Sequence, residues 1–184
     1  MTGYLTLAAR ALIATVFAAA FLGKVRGASR FGRFTETIGR LAILPERAAR
    51  GAALAIVAAE GTAAVLLVVP ATVRGGFVLA IALLVVFVAV AVRAVRGGIF
   101  AECRCFGSKG AVMGHAMIAR NLLLISIAAL GLAGAAVPTG HLPAAAAATL
   151  AGAAGALVFV RGYDRAVAAL MKRLVTPADA EAHQ

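Results

Sequence analysis

The sequence predicts an all-α, polytopic membrane helix bundle. It has four core transmembrane helices, a fifth span, and an interfacial amphipathic segment after the first span. Three observations carry this. Of the 184 residues, 63% are hydrophobic and only 14% are charged, against about 45–50% and ~25% in a soluble domain. The apolar residues fall into runs close to the ~20 residues that cross a bilayer as a helix. The 18 Lys and Arg, set against 7 acids for a net charge of +11, lie mostly between those runs, as membrane proteins place them. The bilayer is therefore the expected partner and nucleic acid is not. A chain with no Trp and 6% aromatic residues lacks the base-stacking surfaces that single strands require.

Each run has its own signature. The first span lies near residues 5–23, with Arg10 as its one charge. Three alanines at 18–20 would suit a signal-peptide cleavage site, but Arg10 sits late and Phe21-Leu22 continue the run, which favours a retained span. The second span, near 51–69, is uninterrupted except for Glu60 at its centre. The third, near 75–92, is the richest in Val, Leu and Ile. The fourth, near 121–137, follows Arg120. The fifth, near 142–160, is mostly Ala and Gly until residues 157–160, and Pro143 suits the first turn of a helix. Residues 1–161 thus form the transmembrane helical domain and 162–184 a polar C-terminal tail. Abundant Ala and Gly predict tight helix packing. Gly51-x-x-x-Ala55, Gly131-x-x-x-Ala135 and Gly152-x-x-x-Ala156 fit a small-xxx-small spacing, although an Ala-rich chain produces it often by chance.

Residues 24–50 read differently. Phe31, Phe34, Ile38 and Leu41 recur at three- and four-residue steps, while Arg30, Arg33, Arg40 and Glu36 fill other faces. This predicts an amphipathic helix in the membrane interface, ended by a turn at Leu44-Pro45. Sixteen of the eighteen basic residues fall in 24–50, in 93–120 and from Arg161 onward. With five spans these segments share one side, which the positive-inside rule makes cytoplasmic, leaving the N-terminus outside.

Two places point to chemistry. The first is Cys103-Arg104-Cys105-Phe106-Gly107, between spans three and four, with Gly97-Gly98 before it and Ser108-Lys109-Gly110 after it. Flanking glycines predict a shaped loop. A thiolate is the reactive form of cysteine, and Arg104 and Lys109 favour it while Glu102 opposes it. A disulfide across one intervening residue closes a small, strained ring, and strained disulfides are the more oxidising ones. Thiol–disulfide exchange is the sharpest reading. Two others stay open: soft-metal binding by both thiolates with His115, and a purely structural role. The second place is Glu60. A carboxylate at a helix centre costs ~2.5–3.5 kcal/mol on insertion scales. It must be protonated, paired or facing a watery cavity, and serves either as a proton acceptor or as a polar anchor between helices. Asn121 can hydrogen-bond across helices. Lys24 and Arg120, at span ends, are expected to snorkel to the head groups. No P-loop, dinucleotide fingerprint, metalloprotease helix or supported Ser–His pair is present, which makes nucleotide-driven transport and hydrolysis poor readings.

These residues resemble the MauE-type branch of the DoxX-like membrane proteins, named for methylamine utilisation. The resemblance covers most of the first four spans. It rests on Lys24-Val25-Arg26, on Phe31 and Phe34, on Leu44-Pro45, on Glu60, on Cys103-Arg104-Cys105-Phe106-Gly107 and on Arg120-Asn121-Leu122-Leu123. The Cys-x-Cys-Phe-Gly element is the most specific. The resemblance implies a four-helix, redox-associated membrane protein linked to disulfide formation or maturation of the small subunit of methylamine dehydrogenase, with a thioredoxin-like partner. By analogy Cys103 and Cys105 would be the exchanging pair, and Arg104, Phe106 and Gly107 would shape the loop. Glu60 and Asn121 would be polar residues inside the bundle. No cofactor is evident; a quinone is a possible electron acceptor, though no residue marks a site for it.

The function expected is therefore an integral membrane thiol–disulfide redox protein. Its alternatives are a small proton-coupled transporter using Glu60 and a non-catalytic scaffold for a redox partner.

Overall fold

A computed structural model describes residues 2–42, 44–96, 115–135 and 142–175. These form six helices: α1 (Thr2–Val25), α2 (Ala28–Ala42), α3 (Glu46–Val68), α4 (Val73–Arg96), α5 (His115–Ala133) and α6 (Leu142–Val175). Among the described residues, four segments are long and apolar enough to cross a membrane: Gly3–Val25, Glu46–Val68, Pro70–Arg93 and Leu142–Gly162. Met117–Ala133 is a shorter apolar helix. The chain is a multi-pass membrane protein. The Ala-rich last run reaches full spanning length, and the run after Arg120 is the short one. Outward residues such as Leu54, Val65, Val78, Leu130, Leu150 and Val158 stay exposed. A soluble bundle would bury such side chains; here they face lipid.

The core explains the arrangement. Ile13, Val16 and Phe17 of α1 meet Ala63 and Leu67 of α3, Phe77 and Leu84 of α4, Leu124 and Ala128 of α5, and Ala156 of α6. All five long helices thus share one apolar centre, with α1 touching every other helix. α6 packs chiefly on α1, and runs unbroken past residue 162 to Val175.

Local chemistry sets the corners. Gly27 has φ +136°, a backbone region open to glycine and strained for other residues. Its amide closes on the Val25 carbonyl at 2.8 Å, and its carbonyl accepts from the Arg30 and Phe31 amides that open α2. Pro45 caps α3 from extended backbone, as the Leu44-Pro45 turn predicts, and Glu46 stands favourably in the first turn. At the other end of α3, the Thr72 hydroxyl donates to the Leu66 carbonyl at 2.9 Å. Arg10 of α1 donates to the carbonyls of Leu67 and Val68. The last carbonyls of a helix have no partners within it, so the one charge in the first span closes the α3–α4 corner.

Arg10→Ala should therefore destabilise the fold by about 1–3 kcal/mol, the range for hydrogen bonds made by a charged group, here one part-buried and one exposed. Reversible unfolding in mixed detergent micelles measures this. Arg10→Lys, with a single ammonium, should recover only part of it.

Candidate functional site

α2 does not lie alone on the membrane. Its apolar stripe docks on the bundle: Phe34 is buried with Ala53 and Val57 of α3, and Phe31, Ile38 and Phe21 pack around them. Its arginines at 30, 33 and 40 remain exposed, with Glu36 and Arg40 paired one turn apart. This docking roofs over the end of α1 and makes the site beneath it.

Under that roof Lys24 forms an ion pair with Glu60. Each side chain is only 1% exposed, so the expectation that Lys24 snorkels is overturned. The physical reason is α2. The Lys24 ammonium lies 4.7 Å from the centre of the Phe34 ring and 5.9 Å from that of Phe87 on α4, within reach of cation–π attraction. Glu60 supplies the countercharge. Glu60 thus meets the requirement that an intramembrane acid be paired, as a polar anchor joining α3 to α1.

Arg120 does not reach the surface either; it is 7% exposed. With Asn121 and Met117 of α5 it lines a small cavity shared with Phe17 and Ala20 of α1, Glu60 of α3 and Phe87 of α4. Asn121 is buried beside Glu60 in this wall. Glu60 Oε2 and Asn121 Nδ2 have no hydrogen-bond partner among the described residues.

Helix direction fixes which end of the bundle this is. Lys24 meets Glu60 and Arg10 meets Leu67 and Val68, so α1 and α3 are antiparallel. Phe87 shares the cavity with Met117 and Arg120, so α4 finishes and α5 begins at the end where Lys24 and α2 lie. Residues 97–114 join those two helix ends. Cys103, Arg104, Cys105, Phe106 and Gly107 belong to that segment and lie outside the described residues. The structure thus brings Glu60 and Asn121 together. It adds Lys24 and Arg120, which the sequence reading left at the surface.

Comparison with known proteins decides the family. The sequence model described as "Methylamine utilisation protein MauE" matches residues 2–134, most of the chain. The chain belongs to the MauE family. A relative, "Methylamine utilization protein MauE" of Paracoccus denitrificans, is 36% identical over 159 residues, covering 83% of this chain and 82% of its own. No solved structure matches. The matched region takes in α1 to α5, the Lys24–Glu60 pair and the cysteine segment; α6 begins beyond it. In this MauE-family chain the buried polar cluster and the thiols therefore fall within one family unit.

Proposed function

We propose that this membrane protein serves methylamine utilisation by thiol–disulfide exchange through Cys103 and Cys105, with a thioredoxin-like protein as partner. The observation that carries the reading is the pair of thiols, one residue apart, inside the family-matched region and between α4 and α5. In the exchange a substrate thiolate attacks the Cys103–Cys105 disulfide, forming a mixed disulfide and releasing one cysteine thiolate. The substrate's second thiolate then attacks the mixed disulfide. The substrate leaves oxidised, and both cysteines are left reduced by the same two electrons. A disulfide of the thioredoxin-like partner takes those electrons in a second exchange. The small subunit of methylamine dehydrogenase is a substrate of the right class.

Single and double Cys→Ser variants test this in acid-quenched cells, with mixed disulfides read by non-reducing electrophoresis. One single variant should accumulate a mixed disulfide with a thioredoxin-like protein, because it lacks the resolving thiol. The double variant should form none. Adducts that survive in the double variant would sink the proposal. Labelling with a membrane-impermeant maleimide from each side then fixes which face carries the exchange.

A further inference from the structure

The wall of the buried cavity carries the side chains of Glu60, Arg120 and Asn121, and Glu60 and Asn121 present polar atoms of opposite sense. Glu60 Oε2 is an acceptor and Asn121 Nδ2 is a donor, and neither has a protein partner among the described residues. Their side chains are 1% and 3% exposed, so bulk solvent does not serve them. Both residues line the same cavity, which is otherwise made mostly of apolar groups such as Phe17, Phe87 and Met117. Its volume is about 20 Å³, and a water needs at least ~10–15 Å³ together with two to four polar partners.

We propose that this cavity is a binding site for one internal water molecule, which donates a hydrogen bond to Glu60 Oε2 and accepts one from Asn121 Nδ2. Size and polarity select the ligand. A volume of about 20 Å³ has room for one water and none for an aromatic ring. An apolar molecule would leave both polar atoms unmet in a low-dielectric interior, where that is unfavourable. The bound water completes a polar chain from Lys24 through Glu60 to Asn121. That chain links α1, α3 and α5 at the end of the bundle where α5 begins. The ion pair fixes one oxygen of Glu60 and the water fixes the other, so the carboxylate is held from two helices at once.

The test is a crystal structure of the full chain from a lipidic phase, at a resolution that shows ordered water, together with the same structure of Asn121→Leu. The expected result is one compact peak within hydrogen-bond distance of both atoms in the wild type. In the Leu variant that peak is lost and the Lys24–Glu60 pair is kept. Should the Leu variant fail to fold, magnetisation transfer from water to the Asn121 side-chain amide of the wild-type chain in bilayers gives the same answer. Three results would overturn the proposal: no peak in the wild type, an elongated peak that displaces the aromatic wall, or Asn121 Nδ2 bonded directly to a protein oxygen. None of these bears on whether Cys103 and Cys105 exchange disulfides.

Discussion

Lys24→Met should destabilise the folded chain by about 3–5 kcal/mol, the range found when one partner of a buried ion pair is removed. Most of that cost is the buried Glu60 carboxylate losing the ammonium it is paired with. Lys24→Met combined with Glu60→Leu should therefore recover much of the loss, because two apolar side chains of similar size need no solvation. Unfolding in mixed micelles separates this from the snorkelling alternative, in which Lys24→Met changes stability by no more than about 0.5 kcal/mol. The single variant should also loosen α2, since Phe34 loses the ammonium 4.7 Å from its ring. Faster amide exchange across Ala28–Ala42 would record that. A fully stable single variant with unchanged α2 protection would mean that the pair does not hold the roof in place.

The spans were legible because a lipid-facing helix is apolar on every side, so uniform runs and isolated charges stand out. The α2 stripe and the turn at Leu44-Pro45 were legible for the same kind of reason, since both are local patterns. What the residues alone could not show is which buried charges meet. Lys24 and Glu60 are 36 positions apart, and only the register of α1 against α3 brings them together. A lysine at the end of an apolar run looks like one that reaches the head groups; the difference is made by α2 folding back across it. One signal was available: an acid at a span centre is often met by a base, and Lys24 and Arg120 stood at span ends. Arg10 carried no local signal, because its acceptors are the carbonyls of Leu67 and Val68 at a helix end nearly sixty residues away. The cysteine pair, read from its spacing, lies outside the described residues. The small-xxx-small spacings divided. A side chain at Gly51 would meet nothing within 4 Å, whereas at Gly131 it would strike the Phe77 ring and at Gly152 the backbone of Ala8.

That last contact carries the second large effect. Gly152→Val should separate α6 from α1, with a loss of about 1–3 kcal/mol for an overpacked contact. A Cβ at 152 would fall on the carbonyl oxygen of Ala8, and backbone cannot move aside as the end of a flexible side chain can. Ala156, one turn later, is fully buried in the same core, so sliding α6 along α1 would not relieve the clash without opening that contact too. The damage should stay local. α6 lies beyond the region matched by the family, and the Lys24–Glu60 pair is held by α1, α2 and α3. Amide exchange should therefore lose protection across Leu142–Gly162 while Glu46–Val68 keeps it. Gly155→Ala is the control, because a side chain there meets nothing within 4 Å and alanine favours the helix by roughly 0.5–1 kcal/mol over glycine. If Gly152→Val and Gly155→Ala behave alike, α6 does not depend on close backbone approach to α1. If α3 loses protection together with α6, the family-matched region does not stand apart from α6.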